Sequence, residues 1–480
     1  MRTLLLRSLS FAALSLAGAC GDISPAPAPS LMQTTAFTNV TLIAMTDERV
    51  MPDQTVLINA GRIAEIGHSA QTKIPPGALT IDGRGAYLMP GLADMHMHTT
   101  DAWLRDWPVS PFDLYLANGV TTIRDMGSNG QPPTYALRWR DQIAEGRRRG
   151  PTLYVGARRR GGGGDMAGFV AWAAGADFDF VKMYSFLSKA EFRAAMARAR
   201  KLGVYTAGHI PFAVGLDDAL SEGMDEIAHV EELDFEFLSF DRSRTLQPRE
   251  WFAYIMEAAV EQVGSEAGFD TTAFESENRP TFLEIADKLK SADIPICTTL
   301  AVADIIVRKL LHAEAFLARP ENRYLPRSYL RSVRQGREKH QVQFKGNEEF
   351  GRFKYAMERI LLAELHQAGV RLVLGTDAGT GAMGIVPGYS IHDELRILVE
   401  TGFTPYEAIT GATVAASQVV DAMTGTDEFG TIEVGKRADL LLVNRNPLES
   451  VGNIKDLRGV MSAGRWYAKQ HLERLITEAE

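Results

Sequence analysis

The chain has 480 residues, 45% hydrophobic and 23% charged, with 60 acidic against 51 basic side chains and a formal net charge of −9. That length and hydrophobic content are those of a globular protein with a large core or more than one domain, and they exclude an intrinsically disordered chain. The acidic balance argues against a nucleic-acid binder, which would carry a basic face.

Taken from the amino end, residues 1–19 form a separate segment. Arg2 and Arg7 flank a leucine-rich start, residues 11–16 are apolar, and Ala17-Gly18-Ala19 places small residues before Cys20. This pattern predicts a secretory signal peptide, too short to remain as a spanning helix. The position of Cys20 resembles a bacterial lipoprotein signal, with Ala17 where leucine is usual. That resemblance implies a lipidated Cys20 and a mature chain that is periplasmic or tethered to a membrane. Residues 20–36 contain Ser24-Pro25-Ala26-Pro27-Ala28-Pro29-Ser30 and read as a stiff tether. Cys297 is the one other cysteine, so no disulfide forms within the chain once Cys20 is acylated or removed. Cys297 itself reads as a small core residue.

Residues 37–89 carry strand signals at 40–45, 55–58 and 63–66, with a turn at 59–62. The apolar run 86–89 is expected as a buried strand that delivers the chain to Pro90-Gly91, where regular pairing must stop. From residue 110 strands alternate with helices. Helices are expected at 112–118, 135–149, 189–202 and 216–222, with Gly203 ending the third. Strands are expected at 120–125, 151–156, 178–184, 204–209, 226–230, 294–299 and 370–377. With the strand before His96 that makes eight, which predicts an α/β chain with a parallel (β/α)8 TIM barrel over residues 90–423. Residues 233–290 and 303–368 exceed one connecting helix each and are expected as helical insertions that wall the catalytic mouth. β texture returns at 424–480, with a turn at 431–436, a strand at 438–443 and a hairpin at 460–467. Residues 37–89 and 424–480 are therefore expected to join as one small discontinuous β-sandwich domain.

The chemistry-bearing residues fall at strand ends. In an extended chain residues i and i+2 share a face, so His96 and His98 can aim both rings at one point, and neutral imidazole is a common metal ligand. Lys182, His209, His229 and Asp377 each close another predicted strand, and the carboxyl ends of parallel barrel strands share one face. A lysine ending in an apolar strand would be costly without a partner. Of the remaining histidines, His68, His312, His340, His366 and His471 read as surface or packing residues. His392 stays open because it follows the Asp377 loop.

Pro90-Gly91-Leu92-Ala93-Asp94-Met95-His96-Met97-His98, Val181-Lys182-Met183-Tyr184, Gly208-His209, Ala228-His229, Gly375-Thr376-Asp377-Ala378-Gly379 and the tail Gly430-Thr431-Ile432-Glu433-Val434-Gly435-Lys436-Arg437-Ala438-Asp439-Leu440 together resemble the amidohydrolase superfamily. The resemblance runs from about residue 37 to about residue 470 and implies a metal-dependent hydrolase. Its subgroup with a lysine on the fourth strand implies two divalent metals bridged by a carboxylated lysine. By matching position, His96, His98 and Asp377 would hold one metal, His209 and His229 the other, and Lys182, carboxylated by CO2, would bridge them. Within the superfamily the chain looks most like the imidazolonepropionase and Xaa-Pro dipeptidase members.

The residues suit that chemistry on their own terms. Two metals sharing a water lower its pKa toward neutrality, giving a metal-activated hydroxide. Asp377 would take the proton of that water and deliver it to the leaving nitrogen. Zinc is the first choice for this nitrogen and oxygen donor set, with manganese, cobalt and iron also compatible. Tyr184 and one of Arg158, Arg159 and Arg160 are candidates to bind a substrate carboxylate, although short basic runs are usually solvated. His392, with Glu394, is a further candidate around the site. The substrate is expected to be a small molecule with a carbon–nitrogen bond, such as a dipeptide or an N-acyl amino acid. A lactonase, cyclic-amide or phosphotriester hydrolase would keep the lysine. A mononuclear deaminase generally lacks it, and a binding protein that had lost its chemistry would show broken ligands.

Overall fold

The computed structural model describes residues 34–100, 103, 107–127, 134–159, 164–263, 270–380 and 383–477. The expected signal peptide, Cys20, most of the tether and Arg160 lie outside them. Among the described residues no helix is long and apolar enough to cross a membrane.

The chain begins with β1 (Thr35–Leu42), β2 (Met51–Asn59), β3 (Arg62–His68), β4 (Leu79–Asp82) and β5 (Tyr87–Pro90). It then forms the eight strands β6 (Leu92–Met97), β7 (Val120–Asp125), β8 (Thr152–Arg158), β9 (Phe180–Met183), β10 (Thr206–Gly208), β11 (Glu226–Ala228), β12 (Ile296–Cys297) and β13 (Leu372–Val373). Three more follow: β14 (Leu440–Val443), β15 (Leu457–Ser462) and β16 (Arg465–Ala468). Strands β1–β5 and β14–β16 make one sheet, in which β14 bridges the two ends of the chain by pairing antiparallel with β5. Its core packs Phe37, Val56, Leu88, Leu440 and Met461. Strands β6–β13 are neighbours in chain order and parallel, so the protein is a (β/α)8 TIM barrel with an additional β domain. The barrel is closed by backbone bonds from Met95 N–H to Leu374 O (3.0 Å) and from His98 N–H to Ala378 O (2.8 Å).

One count needs correction. The strand before His96, counted as the first of the barrel, lies in the small sheet with the rest of the 37–89 stretch, pairing with β14 and β1, and the first barrel strand is β6 itself, which contains His96. The chain crosses between sheets at Gly91, whose N–H bonds Asp439 O while the next N–H bonds Gly119 O. A Cβ on Gly91 would lie 2.1 Å from Thr121 Oγ1, so the crossing tolerates no side chain. A buried apolar run reads alike in either sheet, which is why sequence did not separate them.

Other elements follow local chemistry. The helix Lys189–Leu202 starts with a capping box between Ser188 and Glu191 and stops at Gly203, with φ +66°. The helix expected over 135–149 ends at Ala144, ahead of Gly146 with φ +73°. Helix Met166–Gly175 was not expected, because its alanine- and glycine-rich sequence carries little amphipathic pattern.

The barrel interior holds an ion pair. Arg124 on β7 reaches Glu226 on β11 through both guanidinium nitrogens, one contact at 2.6 Å, and also donates to Met95 O at 2.8 Å. Tyr205 Oη donates to Glu226 at 3.2 Å, and all three residues are buried. Removing one partner of a buried pair strands the other charge. Glu226→Ala is expected to lower unfolding free energy by about 3–5 kcal/mol, measured by urea denaturation. A loss under about 1 kcal/mol would mean that the pair contributes little to the barrel.

Candidate metal centre

The strand ends bring His96, His98, Lys182, His209, His229 and Asp377 together. The ring centroids of His96 and His98 are 5.4 Å apart, those of His96 and His229 4.2 Å, and those of His209 and His229 4.8 Å. Asp377 Oδ1 lies 3.1 Å from His98 Nε2 and 3.6 Å from His96 Nε2. Ligand atoms of His96, His98 and Asp377 all fall within 4.8 Å of one another. Lys182 Nζ sits 3.2 Å from His96 Nε2 and is 1% exposed.

The backbone is bent to achieve this. His229 (φ +82°), Thr299 (φ +53°) and Asp377 (φ +55°) adopt left-handed conformations, each costing of the order of 1–3 kcal/mol in a non-glycine residue. These turns help explain why β12 and β13 are shorter than expected: the ladders stop where side chains swing inward. Gly375 permits a close approach, since a Cβ there would lie 2.5 Å from Cys297 Sγ and 2.6 Å from His96 Cβ. Asp94 pins the opposite side by accepting Thr376 Oγ1–H at 2.6 Å, Thr376 N–H at 3.0 Å and His96 N–H at 3.3 Å.

Three rings are held from behind. His98 Nδ1 lies 3.0 Å from Gly127 O, which can only accept, so Nδ1 carries the proton and Nε2 presents a lone pair. His209 Nδ1 lies 2.5 Å from Glu232 Oε1, and the other Glu232 oxygen accepts Ile210 N–H at 3.0 Å. His229 Nδ1 pairs with Thr299 Oγ1 at 2.9 Å. Such outer hydrogen-bond partners fix ring orientation in metal sites. Glu232→Ala is therefore expected to weaken metal affinity about 10–100-fold in a chelator competition. An unchanged affinity would show that Glu232 does not orient His209.

Electrostatics points the same way. Burial, reinforced by neighbouring charges, pushes His209 and His229 down to about 3 and holds His96 well below the usual imidazole range. Burial lowers Lys182 to about 8 against the pull of Asp377. Burial alone would raise Asp377, but the His98 hydrogen bond and the surrounding cationic groups outweigh it and keep the carboxyl well below its ordinary value. Neutral imidazoles, an ionised carboxylate and an amine near neutrality form a donor set that fits divalent metal.

The centre opens into a cavity of about 660 Å³, the size of a small-molecule site. Tyr184 and Arg158 line it, with the Arg158 guanidinium 6.0 Å from the Tyr184 ring and that ring 4.9 Å from His209. Both long insertions contribute wall, including Ile255 and Met256 from the first and Ile306 and Phe344 from the second. Arg159 does not line the cavity; it is exposed, with Nη1 3.5 Å from Asp165 O. His392 also departs from its expected place. It is buried on helix Tyr389–Glu400, with Nε2 3.0 Å from Asn118 O, and serves helix packing, away from the cavity lining. Glu394 accepts Thr298 Oγ1–H (2.5 Å) and the N–H groups of Leu300 (3.0 Å) and Ala301 (2.6 Å), bracing the turn that carries Thr299.

Sequence reasoning missed Glu231, Glu232, Thr299 and Lys354. Lys354 Nζ lies 2.8 Å from Glu231, 3.4 Å from Asp234 and in contact with Glu358 at the cavity wall. The pair Glu231-Glu232, one residue beyond His229, was a readable signal; Lys354, on an insertion helix remote in sequence, offered none. His340, read as packing, is buried against Lys309 (2.9 Å) and Glu338 (3.1 Å) yet also borders the cavity.

Residues 320–467 match the model of the amidohydrolase family. The adenine deaminase of Ruegeria sp. (strain TM1040) is 32% identical over 107 residues, 21% of this chain and 18% of that protein. The imidazolonepropionase of Idiomarina loihiensis is 40% identical over 63 residues, 12% of this chain and 15% of that protein. The matched stretch thus spans less than a fifth of these curated relatives. A solved Xaa-Pro dipeptidase with methionine in its active site superimposes with a TM-score of 0.61 at 18% identity, covering 91% of this chain and 100% of the other, a likeness of fold.

Proposed function

The chain belongs to the amidohydrolase superfamily, and from that premise we propose that it is a metal-dependent hydrolase of a carbon–nitrogen bond in a small substrate, a dipeptide or an N-acyl amino acid. The observation that carries this reading is the convergence of His96, His98, Lys182, His209, His229 and Asp377 on one cavity, with three rings turned Nε2-inward by partners behind them. His96, His98 and Asp377 would hold one divalent ion, zinc by preference, and His209 and His229 a second, with a carbamate on Lys182 between them. When bound, such ions polarise a scissile carbonyl and make water acidic enough to attack at neutral pH.

The chain's own residues do the rest. Asp377, ionised and beside the cavity, accepts the proton of the attacking water and returns it to the leaving nitrogen. Arg158 pairs with a substrate carboxylate, and Tyr184 donates a hydrogen bond to a carbonyl or carboxylate oxygen. Glu232 and Thr299 hold the His209 and His229 rings in place throughout. The walls from both insertions limit bulk water. The test is a library of dipeptides and N-acyl amino acids assayed before and after chelation. Amide cleavage that chelator abolishes and added zinc, manganese or cobalt restores supports the reading. Turnover indifferent to chelator, or release of ammonia from aromatic amines alone, would contradict it.

A further inference from the structure

The aromatic groups beside Arg158 bear on what the substrate carries next to its carboxylate. The Tyr184 ring has the Arg158 guanidinium at 6.0 Å and the Phe186 ring at 5.6 Å. Phe212 follows Phe186 at 5.9 Å, and Phe235 follows Phe212 at 5.1 Å. The Phe212 N–H bonds Ser185 O at 2.9 Å, lacing the loops after β9 and β10 so that the rings stand side by side. All three phenylalanines line the cavity. Helix Pro248–Val263 adds Ile255 to this cluster and the adjacent Met256 to a second one around Phe344, so the apolar surface continues from one insertion to the other.

In an α-amino acid the carboxylate and the side chain leave the same carbon. A residue whose carboxylate lies at Arg158 and Tyr184 therefore has its side chain within reach of the rings beside Tyr184 that line the same cavity. Those phenyl rings offer no hydrogen bond, so a polar side chain would lose water without gaining a partner, whereas an apolar one gains from desolvation. We propose that the carboxylate-bearing residue of the substrate is a bulky apolar amino acid, aromatic or large aliphatic, seated against Phe186, Phe212 and Phe235. This rests on the hydrolase reading and its Arg158 anchor. The rival feature in the same cavity is the cluster of Lys354 with Glu231 and Glu358, which would instead favour a basic side chain.

Free phenylalanine, leucine, alanine and lysine carry the same carboxylate and side chains and cannot be hydrolysed. Their binding to the metal-loaded protein is measured by calorimetry, and the N-acetyl forms are assayed for cleavage. Phenylalanine and leucine are expected to bind at least about 10-fold more tightly than alanine, the lower end of apolar-pocket discrimination. Phe186→Ala should bring that ratio toward one, while Phe186→Leu retains most of it, with metal content and Tm as controls for folding. Equal binding of all four, preference for lysine, or no binding overturns the proposal. Selective binding of phenylalanine without cleavage of any N-acetyl form or of any dipeptide ending in these residues leaves it standing and refutes the hydrolase reading instead.

Discussion

Lys182→Ala is expected to lower kcat/KM by at least about 10³-fold while the barrel stays folded, the combined loss of metal activation and positioning. The argument begins with charge. An ammonium next to two divalent cations sets three like charges together in a poorly screened site, which is strongly unfavourable. Burial already brings Lys182 down to about 8, so the neutral amine is far more accessible near neutral pH than for an ordinary lysine. The neutral nitrogen can attack CO2, forming an N–C bond as one C–O π pair moves onto oxygen and one proton is released, and the proposed carbamate would supply two anionic oxygens as ligands. Alanine leaves that bridge missing. A short carboxylic acid added back should restore part of the activity, and removal of bicarbonate during refolding should lower wild-type activity. An active, metal-replete protein carrying a free Lys182 amine would refute the bridge.

Asp377→Asn is expected to behave differently. The amide keeps an oxygen near His98 Nε2, where Oδ1 now lies at 3.1 Å, so much of the metal should remain. What disappears is the group proposed to accept a proton and give it to the leaving nitrogen, a contribution of about 10²–10⁴-fold in kcat. The variant should therefore show near-normal metal content, near-normal binding of product amino acids and a kcat lowered by that factor. If metal and activity fall together, Asp377 acts as a ligand alone and the proton is carried elsewhere.

Much of this site was legible because its signals are local. His96 and His98 need only the two-residue period of a strand, and Lys182, His209, His229 and Asp377 each sit where an apolar run ends. Helix Lys189–Leu202 was readable from its own cap and its own terminal glycine. The rest depended on contacts between distant segments. Glu232 meets His209, and Thr299 meets His229, only after the barrel has formed. Lys354 reaches Glu231 from an insertion whose helices carry no pattern that fixes where they dock. His392 was uncertain for a related reason: a histidine on a helix can face a cavity or a neighbouring backbone, and sequence alone did not choose between Asn118 O and the site. The strand that opens the barrel after Gly91 was miscounted because buried strands of either sheet look the same from composition.

The central claim is a binuclear centre held by these side chains, and metal stoichiometry tests it most directly. Protein loaded with zinc in bicarbonate buffer, freed of excess ion and analysed by plasma mass spectrometry should contain two ions per chain. The Lys182→Ala variant should retain at most one. One ion or none in the wild type, or two retained without Lys182, would contradict the account.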